Sequence, residues 1–267
     1  MDLRPIGIFD SGLGGLTVFK EIVSLMPNEN IVYFGDTARI PYGSKSKETV
    51  TKFAMQNTRF LLSKNVKIVV VACNTASAYA YETLKKSFDI PIVAVIEPGA
   101  KAAVNATKNK RVGVVGTEGT IASGSFEKKI LELDSSIKVF SKPCPLFVPL
   151  VEEGWTDKEV TYLVAKEYLE EFSEKEIDTL VLGCTHYPFL QDVIKKVLPD
   201  VMLINPALET AKQVFEVLKE NDMLNNSSEE PTYYFYASDN LKKFESVASI
   251  FLNEKIKCEE KIDIEKY

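Results

Sequence analysis

Short runs of β-branched and other apolar residues alternate with longer amphipathic segments along almost the whole chain. This is the pattern of an α/β protein whose parallel strands are buried on both faces. The apolar runs predict strands at 5–9, 30–34, 68–72, 91–95, 111–115, 137–140, 178–182, 201–204 and 232–237. Between them, helical spacing predicts helices at 15–25, 47–63, 76–87, 98–106, 119–131, 157–172, 189–197, 207–219 and 240–252. The polar segment Asn221 to Glu230 reads as an exposed connection, and a softer boundary falls at Glu97-Pro98-Gly99, where a strand gives way to a helix. The charged stretch from Glu254 to Tyr267 fits either a frayed tail or a short edge strand.

Within this pattern one feature repeats. Ile68-Val69-Val70-Val71-Ala72-Cys73-Asn74-Thr75 and Thr179-Leu180-Val181-Leu182-Gly183-Cys184-Thr185-His186 each run an apolar strand into a small residue, a cysteine and polar hydrogen-bonding residues. Both cysteines then lie just past the C-terminal end of a buried strand, where α/β sheets place their ligands. Two domains facing each other would set the thiols on opposite sides of one cleft.

The composition, 45% hydrophobic and 26% charged over 267 residues, allows one large core or two modest ones. A formal net charge of −6 at pH 7 gives no overall attraction to nucleic acid or an anionic membrane. Lys64 to Lys67 reads as a helix end rather than a binding surface. The run Ile68 to Cys73 is far too short to span a membrane. The strand-like Pro5-Ile6-Gly7-Ile8-Phe9 begins too early for a signal peptide, so a cytoplasmic location is the default expectation. Four scattered cysteines do not make a disulfide scaffold in a chain of this length.

A lone buried cysteine is commonly only a small hydrophobe, but two in matching strand-end positions ask for a chemical reason. The N–H groups of a following helix can lower a thiol pKa from about 8.5 and can also hold a carboxylate, so either cysteine could serve as acid or base. No Cys-x-x-Cys occurs, and His186 is the only histidine, so neither dithiol exchange nor a zinc site has a local motif. Asp10-Ser11-Gly12-Leu13-Gly14-Gly15 matches neither glycine-rich nucleotide motif. Its Asp10 could pair with a substrate ammonium or position a thiol proton, and Ser11 could bind a small anion or serve the turn.

Pro41-Tyr42-Gly43-Ser44 is either a turn before helix 47–63, with Ser44 or Ser46 as cap, or a grip on a substrate carboxylate through Tyr42 and backbone amides. Asn74, Thr75 and Thr185 suit helix capping and substrate contact equally. His186, directly after a strand-end thiol, could be a general acid, a partner for a thiolate, or a satisfied core histidine. Glu152 and Glu153 fall in an expected loop after Pro149, and spacing does not choose between them. Cys144 and Cys258 lack the strand-end setting and read as ancillary.

Taken in order, Asp10-Ser11-Gly12-Leu13-Gly14-Gly15, Pro41-Tyr42-Gly43, Ala72-Cys73-Asn74-Thr75-Ala76-Ser77 and Gly183-Cys184-Thr185-His186-Tyr187-Pro188 give a chain that resembles the bacterial glutamate racemases of the aspartate/glutamate racemase family, over residues 5 to 252. The resemblance implies two pseudo-symmetric α/β domains with largely parallel sheets, 1–97 plus 207–267 and 98–206, with the active site in the cleft between them. It implies proton exchange by Cys73 on one face of glutamate and Cys184 on the other, with no pyridoxal phosphate, metal or nucleotide. Asp10 and His186 would assist the respective thiols, with Glu152 near the second. Ser11, Pro41, Tyr42, Gly43, Asn74, Thr75 and Thr185 would hold the carboxylates and ammonium, with Thr117 and Thr120 at the edge of the cleft.

The same resemblance implies a cytoplasmic homodimer supplying D-glutamate for peptidoglycan, without the N-terminal extension of members activated by a wall precursor. It departs from the family at Asn205, where the pattern usually has Asp. Racemisation of another small acid, aspartate first, would use the same residues. A noncatalytic acid-binding protein would not need opposed thiols, and a cysteine hydrolase built on Cys184 and His186 would leave Cys73 without a purpose.

Overall fold

The computed structural model describes residues 1–252 and 255–267. Its strands are β1 (Ile6–Asp10), β2 (Ile31–Gly35), β3 (Ile68–Val71), β4 (Ile92–Ala94), β5 (Arg111–Gly116), β6 (Lys138–Pro143), β7 (Thr179–Gly183), β8 (Met202–Ile204), β9 (Tyr233–Ala237) and β10 (Cys258–Lys261). They form two parallel sheets, one of six strands in the order β10-β9-β2-β1-β3-β4 and one of four in the order β6-β5-β7-β8. The stretch β2-β1-β3-β4 and the whole second sheet have the same order. In each, a central strand lies beside the strand that leads into a cysteine: Ile8 pairs with Val70, and Val114 with Val181.

Helices cover both faces of each sheet, which is why the strands read as continuous apolar runs. The helices are α1 (Leu16–Leu25), α2 (Lys47–Ser63), α3 (Asn74–Ser87), α4 (Ile96–Ala106), α5 (Glu118–Ala122), α6 (Ser125–Leu133), α7 (Phe147–Glu152), α8 (Glu159–Glu174), α9 (Gln191–Val197), α10 (Pro206–Glu220) and α11 (Leu241–Leu252). Along β3 the side chains alternate between two cores. Ile68 and Val70 pack with α1, α10 and α11, whereas Val69 and Val71 pack with α2 and α3. The second sheet has α8 and α9 on one face and α4 and α6 on the other. No described helix is long and apolar enough to cross a membrane.

All the strands expected from the apolar runs form, with ends shifted by a residue or a few. The charged C-terminal stretch supplies an edge strand: β10 pairs parallel to β9, while Glu254 lies outside the described residues. The helix expected over 119–131 is broken into α5 and α6 by Gly124, whose φ of 62° is a left-handed conformation that suits glycine. β4 gives way to α4 almost at once, and Glu97, Pro98 and Gly99 fall in the first turn of that helix. Glu152 is helical, closing α7, instead of lying in a loop.

Lys64 caps the end of α2, as expected of a helix end, whereas Lys67 lies beyond it and is buried. Its ammonium is fully buried, 2.6 Å from Glu29 Oε2, and donates to the carbonyls of Asp2 and Met223. Glu29 Oε1 in turn accepts the Asn225 amide. A buried charge pair of this kind ties the N-terminus, the entries to β2 and β3, and the 221–232 connection at the edge of the sheet opposite the thiols.

Candidate active site

The local sequence places Cys73 as the N-cap of α3. Its thiol accepts from the Ala76 amide at 3.5 Å, a role for which Asn74 and Thr75 had been the candidates. Cys184 follows β7 but is not succeeded by a comparable helix. A 3-10 turn over Tyr187–Leu190 precedes α9, so the partner of this sulfur is a side chain: His186 Nδ1, 3.8 Å from Cys184 Sγ. Both thiols line a single cavity together with Ser11, the loop Pro41 to Gly43, Asn74, Thr75, Thr117, Thr185 and His186. Ile40 and Val148 complete its wall and were missed from sequence, although each is the apolar neighbour of a proline-marked turn. The free space is about 20 Å³, room for roughly one water.

Each sulfur has its own electrostatic setting. Burial pushes the Cys73 thiol up to about 12, and the Asp10 carboxylate adds to this, against the Ala76 amide and the Ser11 hydroxyl. Asp10 is fully buried at the end of β1; its Oδ2 accepts the Gly12 amide, and Thr185 Oγ1 approaches Oδ1 at 3.5 Å from the other sheet. Burial raises the Asp10 pKa, opposed first by the positive charge of His186.

Burial works against charge on His186 as well, but the Cys184 sulfur and the Glu152 carboxylate outweigh it, and the imidazole is pushed up to about 10. Glu152 Oε1 lies 3.4 Å from His186 Nε2, an ion-pair distance without hydrogen-bond geometry. The neighbouring His186 holds the Glu152 carboxyl below its usual value. His186 thus stands between two groups that favour its charged form, with Nδ1 toward Cys184 Sγ and Nε2 toward Glu152. Glu153 makes no such contact; it is the exposed residue after α7.

The hydroxyls close the cavity across the two sheets. Thr75 Oγ1 lies 2.9 Å from Thr117 Oγ1 and 3.3 Å from that of Thr120, and the Gly119 amide donates to the Gly43 carbonyl at 2.8 Å. Thr117 caps α5, while Thr120 is buried behind it and reaches the cavity only through its neighbours. Tyr42 lines the cavity, yet its hydroxyl is turned away into the core, where it donates to Asp36 and accepts from Asn57. Its phenol is therefore not free to grip a carboxylate, which leaves the Tyr42 and Gly43 amides as the N–H donors of this stretch. Ser46, not Ser44, caps α2. Asn205, the departure from the family pattern, caps α10 by accepting the Ala207 amide. Among the described residues no group of three or more His, Cys, Asp or Glu side chains converges as a metal site.

Fold and cavity together define a two-lobed α/β enzyme with its site between the lobes. The family model described as Asp/Glu/Hydantoin racemase matches residues 6–214. A glutamate racemase of Geobacter metallireducens is 49% identical over 257 residues, covering 96% of this chain and 95% of the relative. The crystal structure of glutamate racemase from Francisella tularensis in complex with D-glutamate superimposes with a TM-score of 0.94 at 44% identity, covering 100% of both chains. The glutamate racemase isoform RacE1 of Bacillus anthracis gives 0.95 at 40% identity over 98% of both. The chain belongs to the Asp/Glu/Hydantoin racemase family, and with it to the isomerases.

Proposed function

We propose that this enzyme interconverts L- and D-glutamate by proton transfer between Cα and two sulfurs. The observation that carries this reading is the placement of Cys73 and Cys184 after equivalent strands of two like-ordered sheets, on one shared cavity. One sulfur, as thiolate, takes the Cα proton; the C–H electron pair spreads into the adjacent carboxylate. The other, as thiol, returns a proton to the opposite face, and the sulfurs end with their protonation states exchanged.

Asp10 and Ser11 serve the Cys73 side, with Asp10 also placed to meet the substrate ammonium. His186, held by Glu152, shuttles a proton at Cys184. Asn74, Thr75, Thr117, Thr185 and the Tyr42 and Gly43 amides offer donors for the two carboxylates, with Thr120 supporting Thr75 and Thr117. Donors fixed in a dry site stabilise the charge that builds beside the α-carboxylate. All the proton chemistry is supplied by side chains, so the mechanism calls for no cofactor.

The two sheets and their cores support a division into domains 1–97 plus 207–267 and 98–206, the chain crossing twice between them. The biological setting that the resemblance in sequence implies is D-glutamate made in the cytoplasm for peptidoglycan, by a homodimer.

The decisive assay incubates the purified protein with L-glutamate in D₂O and follows optical rotation and deuterium at Cα. Loss of rotation with deuterium incorporation is the expected result. Turnover of aspartate alone would move the substrate assignment, and inertness toward both under reducing conditions would leave a binding protein.

A steric test concerns the His186 side. A Cβ on Gly14 would overlap Thr185 Oγ1 and stand 2.8 Å from His186 Nδ1. Gly14→Ala is expected to push the imidazole off Cys184 and lower kcat by about 100-fold, the cost of misplacing a reacting group by roughly 1 Å. A variant with unchanged kcat would show that the His186 position is immaterial.

A further inference from the structure

The loop from Ile40 to Gly43 forms one wall of the cavity, and what holds it in place lies behind it. Asp36 follows β2 as Asp10 ends β1, and it is fully buried. Its Oδ2 accepts from Arg39 Nε at 2.7 Å and from the Tyr42 hydroxyl; its Oδ1 accepts from Ser238 Oγ at 2.8 Å. Arg39 spreads the constraint, donating to Gln56, Asn57 and Glu265 while its guanidinium stacks 4.0 Å from the Phe53 ring centre. Asn57 Nδ2 completes the cage by donating to the Tyr42 hydroxyl at 3.0 Å. Both ends of the turn, Arg39 before it and Tyr42 within it, are thereby fastened to one carboxylate. Ile40, Pro41, Tyr42 and Gly43 all line the cavity, with the Tyr42 hydroxyl held behind it.

We propose that Asp36 is a positioning residue for substrate binding: its carboxylate, acting through Arg39 and Tyr42, fixes the Ile40–Gly43 backbone at the spacing a carboxylate of the substrate requires. This rests on glutamate racemisation as the reaction. A charge-assisted anchor on a cavity loop matters most for ground-state binding, because no atom of Asp36 reaches the cavity and the thiols lie on other elements.

The test compares wild type with Asp36→Asn, Asp36→Ala, Tyr42→Phe and the Asp36→Asn/Tyr42→Phe pair. Asp36→Ala is expected to raise KM for both enantiomers about tenfold with kcat within threefold, and Asp36→Asn, which keeps an oxygen for the Tyr42 hydroxyl, to recover part of the loss. The paired variant should be no worse than the poorer single one, since the two act as a unit. Independently of any substrate, amide hydrogen exchange over 41–45, including the Lys45 amide bonded to the Tyr42 carbonyl, should quicken at least tenfold in Asp36→Ala while β1 and β3 keep their protection. Unchanged KM and unchanged loop exchange in a folded Asp36→Ala protein would overturn the proposal, as would faster exchange spread evenly over the first sheet. If wild type failed to turn over glutamate, the reaction assignment would fall, and the loop-exchange result would still decide the role of Asp36.

Discussion

Cys184→Ala and Cys73→Ala are each expected to lower kcat for glutamate racemisation by at least about 1000-fold while leaving glutamate binding within about tenfold of wild type. A positioned acid or base contributes roughly 10²–10⁴-fold, and here each direction uses one sulfur as base and the other as acid, so no single thiol can complete an inversion. The two variants should nevertheless differ. With one sulfur left, proton exchange is restricted to the enantiomer whose Cα–H faces it, so residual deuterium incorporation should favour L-glutamate in one variant and D-glutamate in the other. Polarimetry reads racemisation, proton NMR of each enantiomer in D₂O reads exchange at Cα, and calorimetry reads binding. Racemisation near the wild-type rate in either variant would end the two-thiol account.

The second large effect is on stability, at the opposite edge of the first sheet. Lys67→Ala should destabilise the protein by about 3–5 kcal/mol, because it strands the buried Glu29 carboxylate and two backbone carbonyls without their partner. The urea midpoint should fall accordingly. Lys67→Met combined with Glu29→Gln removes both charges, keeps an acceptor for the Asn225 amide and preserves volume. That pair should recover more than half of the loss, and a double variant as weak as Lys67→Ala would show that the lost hydrogen bonds to the Asp2 and Met223 carbonyls, rather than a stranded charge, govern the site.

The contrast between Lys67 and Cys73 shows what a linear sequence discloses. The thiols were legible because they recur: the same strand-into-cysteine phrase twice implies the same place in two sheets, and the strands themselves are readable from unbroken apolar runs. Lys67 sits among other lysines at what reads as a helix end, and nothing local indicates that Glu29, Asp2 and Met223 converge on it. The direction of the Tyr42 hydroxyl is hidden for the same reason, since Asp36 and Asn57 meet it only through the fold. A signal for Asp36 did exist: β1 leads into Phe9-Asp10 and its neighbour β2 into Gly35-Asp36, so two adjacent strands deliver a carboxylate to the same sheet edge. The break at Gly124 and the short α7 escaped because five- and six-residue helices are too brief to show a period.

The unlike surroundings of the two sulfurs have a kinetic corollary. L- and D-glutamate have equal free energies in water, so the equilibrium constant between them is one and kcat/KM must be the same in both directions. Asp10 and Ser11 beside Cys73, and His186 with Glu152 beside Cys184, make the cleft chemically lopsided even though the strand order is repeated. That lopsidedness can appear only as matched differences in kcat and KM: the enantiomer held more tightly in the ground state must be converted more slowly at saturation, by the same factor.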